Sequence, residues 1–405
     1  MNCKSLLPLL AAVSLIACDK IDTPYVNEDA STFTEISSTI AGEGGTAEII
    51  AFDPLTKKLF SVSNTVSSSF INIIDLSDPS VPKVIGTINM SPYGRVTHSV
   101  SVSSGKLAVC IEAAVKTDAG KVVVLKTSDY SVIKQVMVGA MPDMLSYTPD
   151  GKYILTANEG EPNSTYTIDP IGSISIISVD NNYGVTTIDF ASFASQQAAL
   201  QAGGLRVYGP RSSLAQDMEP EYITISEDSK TAWVTLQENN AIAKINIAAK
   251  TITRIFPLGF KDHNTDLNAI DPSDRDGGIF LNKWNVKGMY QPDGIGVFSY
   301  KGTPFLFTAN EGDTRDYPGF SEIARVSSLT LDPVAFPDAA TLKQEAKLGR
   351  LNVTKTLGDA GSDGDFDQLF SFGARSFSVW NGDNGALVFD SKNHLEQKSI
   401  EAGLY

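Results

Sequence analysis

From Ala47 onward the chain alternates short apolar runs with clusters of Gly, Asp, Asn and Pro. Runs at residues 48–52, 58–62 and 70–76 form one group, and those at 99–102, 106–111, 121–126 and 132–138 a second. Further groups lie at 144–147, 153–157, 173–179 and 185–190, and at 233–237, 241–247 and 251–256. Runs of this length bounded by turn residues predict β-strands, and two of them around a Gly turn predict a hairpin. Residues 292–316 show the unit most clearly. Pro292-Asp293 opens it, an apolar run follows, Tyr300-Lys301-Gly302 reverses the chain, and a second run leads into Asn310-Glu311-Gly312-Asp313. Helical periodicity is confined to residues 190–202 and 336–346, both between strand groups.

The unit recurs. Pro142-Asp143 leads through Pro149-Asp150-Gly151 to Asn158-Glu159-Gly160, and Pro220-Glu221 leads through Glu227-Asp228-Ser229 to Gln237-Glu238. The step is 17 residues from Pro142 to Glu159, 18 from Pro220 to Glu238 and 19 from Pro292 to Glu311. Repeated groups of three or four strands at roughly forty residues are the pattern of propeller blades. The expected fold is all-β: a WD40-like propeller of six to seven blades of four-stranded antiparallel sheet, its ring incompletely closed. Six units begin near residues 47, 96, 142, 220, 292 and 348, and residues 30–46 are the candidate for a seventh. A pair of β-sandwiches is the rival architecture, which the regular period disfavours.

The N-terminus changes the picture. Lys4 is followed by an apolar stretch at residues 6–16, too short to span a bilayer, ending in Leu15-Ile16-Ala17-Cys18. This predicts a lipoprotein signal peptide over 1–17, lipidation at Cys18, a polar tether over 18–40 and a propeller domain over 41–405. The location is then the bacterial cell envelope, with the membrane reached through an N-terminal lipid. Several acyl chains on one residue hold a protein stably, where one chain is marginal. Cys3 leaves with the signal, so Cys110 remains alone in an apolar run and is expected as a buried small hydrophobe. The 405 residues carry a net charge of −15. Nucleic acid is therefore excluded as a partner, because phosphate binding needs a basic surface. A ligand or protein of the envelope takes its place.

Candidate chemistry is acidic. If the blades superpose, Asp143, Glu221 and Asp293 start the inner strands and form one ring around a central channel. Glu159, Glu238 and Glu311 form a second. Carboxylates so close need a cation or raised pKa values to coexist, and oxygen-rich clusters suit calcium. The candidate metal ligands are Glu159, Glu311, Asp313 and Asp316, together with Asp359, Asp363, Asp365 and Asp367 of a second acidic loop. Counted from Asp359, this loop reproduces positions 1, 5, 6 and 9 of an EF-hand loop, but Gly361 and Phe370 stand at positions 3 and 12. The alternative for all of these is turn chemistry, with side chains bonding the backbone. No Gly-x-Ser-x-Gly elbow and no His-Glu-x-x-His helix is present, and the three His are far apart. Surface ion pairing is expected for Arg315, Arg325, Arg350 and Arg375.

Seven segments together resemble the choice-of-anchor I family. They are Thr156-Ala-Asn-Glu-Gly-Glu-Pro, Met218-Glu-Pro-Glu-Tyr-Ile, Gly259-Phe-Lys-Asp-His, Asp271-Pro-Ser-Asp-Arg-Asp-Gly, Gly288-Met-Tyr-Gln-Pro-Asp, Thr308-Ala-Asn-Glu-Gly-Asp-Thr-Arg-Asp-Tyr and Phe372-Gly-Ala-Arg-Ser-Phe-Ser. That family includes exported bacterial proteins described as alkaline phosphatase-like, and mesenchyme-specific cell-surface glycoproteins. The resemblance implies an exported, surface-anchored propeller. It implies no catalytic residue set. Members usually continue further, so the chain reads as a C-terminally shortened one. Two functions follow as expectations: a ligand-binding or scaffold propeller stabilised by calcium, or a metal-dependent phosphoesterase.

Overall fold

A computed structural model of the chain describes residues 30–41, 49–65 and 68–404. The expected signal peptide, Cys18 and the tether up to residue 29 lie outside the described residues, as do residues 42–46 of the candidate seventh unit, whose described residues 30–41 hold a 3-10 turn at Ala30–Thr32 and no strand.

Five four-stranded antiparallel sheets follow one another. Blade 1 comprises Ile50–Asp53, Lys58–Asn64, Ser69–Asp75 and Lys83–Asn89. Blade 2 comprises Thr97–Ser103, Lys106–Ile111, Ala119–Lys126 and Val132–Ala140. Blade 3 comprises Pro142–Tyr147, Tyr153–Asn158, Ser173–Ser178 and Gly184–Asp189, and blade 4 comprises Pro220–Ile225, Thr231–Leu236, Ala241–Asn246 and Thr251–Pro257. Blade 5 is split. Ile295–Tyr300 and Thr303–Asn310 form the expected hairpin, and Ser376–Asn381 and Leu387–Asp390 complete the sheet from beyond residues 311–375. The first strands of successive blades touch in chain order.

A sixth, five-stranded sheet runs in the order Phe260–Asp262, Lys287–Met289, Phe370–Ser371, Asn352–Thr354, Ile323–Arg325, and includes one parallel pairing. A two-stranded ribbon, Asp316–Tyr317 with Phe320–Ser321, is the seventh. The unit expected from residue 348 is thus divided: its first strands enter the sixth sheet and its last two finish blade 5. Lys261 fastens the sixth sheet to blade 5, donating to the carbonyls of Ala374 and Lys392 (2.9 Å each) and pairing with Asp390 at 3.0 Å. The two stretches of helical periodicity hold short helices at Ala191–Gln196, Gln197–Ala202 and Ala339–Leu342, and two further α-helices, Leu214–Asp217 and the longer His394–Ala402, form outside them.

Cores lie in the seams between blades, which is why the strand runs read as continuously apolar: both faces are covered. Side chains alternate across a strand. In Lys106–Ile111, Leu107, Val109 and Ile111 pack on blade 1, while Ala108 and Cys110 pack towards blade 3. Cys110 is buried and unbridged, as expected. Leu155, Ala157 and Ile174 meet Ala232, Val234 and Ala243 between blades 3 and 4, and Trp233 and Ile242 meet Leu306 and Trp380 between blades 4 and 5. Each such large side chain contributes about 1.5–3 kcal/mol on burial. Among the described residues no core cluster joins blade 5 to blade 1. The face of blade 5 turned away from blade 4 carries Phe298, Phe307, Phe377 and Phe389, each two-fifths or more exposed.

The repeated Thr-x-Asn has a structural role. In blade 3 Thr156 Oγ1 donates to Asn158 Oδ1 (2.9 Å), and Asn158 Nδ2 donates to Ser173 and Ser175 Oγ (3.2 and 3.0 Å). Blade 5 repeats this with Thr308, Asn310, Ser376 and Ser378. The motif therefore locks the second strand of a blade to the third, satisfying polar groups that are fully buried. The Gly that follows has a positive φ in both copies, 73° at Gly160 and 88° at Gly312.

Candidate functional site

Three inner strands carry a β-bulge at one equivalent place. The register shifts between Thr97 and Ser99 in blade 2, opposite Pro142–Met144 in blade 3, and between Pro220 and Ile223 in blade 4. The extra residues are His98, Asp143 and Glu221-Tyr222. A bulge re-aims side chains, and here it turns His98, Asp143 and Tyr222 onto a central cavity of about 650 Å³. Asn64 of blade 1 and Asp293 and Glu311 of blade 5 complete its wall, so all five blades contribute.

His98 bridges two blades. Its Nδ1 lies 3.2 Å from Asp143 and its Nε2 3.2 Å from Glu112, which Arg95 also meets at 2.6 Å. Burial alone lowers an imidazole pKa; the hydrogen bonds and charges of Asp143 and Glu112 outweigh it and push His98 up to about 9. The ring is then cationic at neutral pH.

Glu221, placed by sequence in the ring with Asp143 and Asp293, turns instead towards Glu159 and Glu238. One carboxylate oxygen of each lies within 4.8 Å of the others. Glu159 and Glu238 are buried and Glu221 is partly exposed. The Gln237 amide, oriented so that its nitrogen donates, bonds both oxygens of Glu221 at 3.1 and 3.2 Å. Burial, and then the charges of neighbouring carboxylates, hold Glu159 and Glu221 well above the usual range. Burial raises Glu238 to about 7 against the opposing charge of Arg315, and Glu219 beside it to about 8.

Arg315 and Arg206 are fully buried, against the expectation of surface pairing for Arg315. Arg315 bonds Asp217 Oδ1 (2.6 Å), Glu219 Oε2 (2.9 Å) and the Asp217 carbonyl (2.8 Å). Arg206 pairs with Glu322, which also accepts from Tyr208 Oη at 2.9 Å. Both guanidinium groups stack on the Tyr208 ring, at 3.9 and 4.5 Å. These groups tie the segment before blade 4 to the insertion within blade 5. The sequence signals for them are Met218-Glu-Pro-Glu, an acidic pair at a strand start, and Arg315 within the segment that begins at Thr308.

The other candidate ligands do not converge. Glu311 is exposed on the central cavity wall. Asp313 is exposed and accepts from the Thr314 N–H at 2.6 Å, and Asp316 is exposed on the ribbon. In the second acidic loop, Asp359 accepts from the N–H groups of Asp363 (3.1 Å) and Gly364 (3.2 Å), and Asp367 from that of Ala360 (2.9 Å). Those are turn contacts. Asp363 is exposed and Asp365 partly so. Of the other three arginines expected in surface pairs, Arg350 meets Asp274 with Nη2 3.1 Å from Oδ2 and Arg375 meets Glu396 at 2.6 Å, whereas Arg325 makes no ion pair within 4.0 Å among the described residues.

The model of the choice-of-anchor I domain matches residues 48–404. The chain belongs to that family. A choice-of-anchor I domain on a propeller framework fits a surface-associated bacterial protein. Among the described residues no helix is long and apolar enough to cross a membrane. Solved structures similar to this choice-of-anchor I chain include the hydrazine synthase of Kuenenia stuttgartiensis, at 13% identity over 64% of this chain and 67% of that one, with a TM-score of 0.41. The WD40 domain of Toxoplasma gondii coronin is similar at 10% identity over 67% and 68%, TM-score 0.38, and a nidogen/laminin complex at 12% over 51% and 62%, TM-score 0.33. No curated protein matches the sequence significantly.

Proposed function

We propose that this choice-of-anchor I domain is an exported scaffold, held on the bacterial envelope by lipid at Cys18, stabilised by calcium, and binding a positively charged envelope ligand in its central cavity. The observation that supports this is the convergence of bulged strands on one cavity. It gathers Asp143, Asp293 and Glu311 from two blades, with His98 as the cation of its wall. Three carboxylates against one imidazolium leave the wall net negative, and a low-dielectric cleft with a net charge focuses the field on an opposite charge. The phosphoesterase reading gains no support: its expected loop ligands do not converge on an open coordination position, and Asp313, Asp359 and Asp367 accept from nearby backbone N–H groups instead.

Two measurements test the proposal. Palmitate is expected to label the wild-type protein in cells and to leave Cys18→Ser unlabelled in the soluble fraction; equal labelling of both overturns the anchor. Calorimetry with spermidine as the probe is expected to lose about tenfold or more in affinity in the Asp143→Asn/Asp293→Asn double variant, because each removed charge contact is worth about 1–3 kcal/mol. Equal binding by both proteins overturns the cavity as the site.

A further inference from the structure

We infer that Glu159, Glu221 and Glu238 form a cage for one calcium ion, which fastens blade 3 to blade 4. The inference deepens the calcium stabilisation proposed above by giving it a place, and it rests on that reading for nothing else. Calcium takes oxygen ligands at about 2.3–2.6 Å, so ligands on opposite sides of one ion stand about 4.6–5.2 Å apart. The three oxygens, all within 4.8 Å of one another, fit around a single ion. The donor set is purely carboxylate, which selects a hard cation over zinc or copper.

A second observation points to the same ligand. Glu238 is 5% exposed and its Oε2 has no hydrogen-bond partner; Glu219 is 1% exposed and its Oε1 has none either. Glu219 interacts electrostatically with Glu159 and Glu238. Buried carboxylate oxygens are ordinarily satisfied, and each left bare costs about 1–3 kcal/mol or more. The cations nearby are already engaged. Arg315 is taken by Asp217 and Glu219, and Lys116 pairs with Glu161. Among the described residues none of the three cage carboxylates forms an ion pair within 4.0 Å. An ion placed among them answers the bare Glu238 oxygen and the mutual repulsion at once.

The local sequence builds the cage. Glu159 follows the second strand of blade 3 directly after the Asn158 lock, and its N–H is held by the Met141 carbonyl at 2.9 Å. In blade 4 Glu238 stands two residues past the end of the second strand, Thr231–Leu236. Glu221 is delivered by the blade 4 bulge and fixed by Gln237. Its partial exposure gives an ion a way in.

The test is calorimetric titration of the chelator-treated mature chain with calcium chloride, paired with thermal unfolding. One calcium per chain and a raised Tm are expected. Glu221→Gln and Glu238→Gln, which keep side-chain size, are each expected to weaken binding about tenfold or more and to lose the calcium-dependent rise in Tm. Should Glu238→Gln fail to fold, the more exposed Glu221→Gln carries the test. Wild-type binding in Glu221→Gln together with lost binding in Asp363→Asn/Asp365→Asn overturns the cage and moves calcium to the second acidic loop. No calcium binding by the wild type overturns both the cage and the calcium stabilisation, whereas the spermidine and palmitate measurements stand apart from either result.

Discussion

His98 and Arg315 show how much two side chains carry when each spans two parts of the chain. The folded pKa of His98, about 9, lies above the ordinary value of 6.5. The stabilisation from its pairs with Glu112 and Asp143 is therefore complete below about pH 6.5 and is lost as pH rises through 9. Urea midpoints between pH 6 and 10 are expected to fall for the wild type over that window, and to fall less for His98→Gln. Equal slopes would remove His98 as the source. For Arg315 the decisive fact is that its partners are buried with it. Arg315→Met leaves the buried Asp217 charge uncompensated and Glu219 without its hydrogen-bond donor, at a cost of about 3–5 kcal/mol. Adding Asp217→Asn and Glu219→Gln is expected to restore part of the denaturant midpoint. A single variant of near wild-type stability would show that the pairs contribute little.

At the scale of elements, the base of the blade 5 insertion rests on two glycines in contact. Gly312 and Gly373 have φ of 88° and 70°, and a Cβ on Gly373 would stand 2.0 Å from the Glu311 carbonyl oxygen. Gly373→Ala is expected to cost roughly 2–4 kcal/mol, combining an unfavourable φ with a backbone clash. Gly277→Ala separates the two effects, since it shares a positive φ but meets nothing within 4 Å; its cost is expected near 1 kcal/mol. Similar Tm losses for both would refute the close approach. Elements of this kind divide into legible and illegible ones. The blade 5 hairpin could be read because Lys301-Gly302 and two apolar runs are local signals. The sixth sheet could not, because it pairs residues 287–288 with 370–371 in parallel, and pairing across so long a stretch leaves no local pattern. The Thr-x-Asn repeat was visible, but its role depended on Ser residues one strand away, 66 and 68 positions on in blade 5. The cage carboxylates were all recognisable from the repeat spacing. Grouping Glu221 with them required the bulge, which periodicity alone does not reveal.

Across the whole molecule, cohesion is uneven. Four seams have apolar cores, while none is present between blades 5 and 1 among the described residues. Amide exchange is expected to be slowest in the second and third strands of blades 3 and 4, with earlier opening of blade 1 and the outer strands of blade 5, since local opening follows sparse burial. Uniform protection around the ring would contradict this. The split in blade 5 also imposes an order in time. Blades 1 to 4 are each complete once a contiguous stretch of chain is available, so a chain emerging N-terminus first can finish them in turn. Blade 5 cannot follow that rule. The edge of Thr303–Asn310 stays unpaired while residues 311–375 emerge, and long-range strand pairing is slow. The final step in building the ring is then the arrival of the hairpin formed by residues 376–390 on an edge that has been waiting for it, with the insertion already folded clear of the gap.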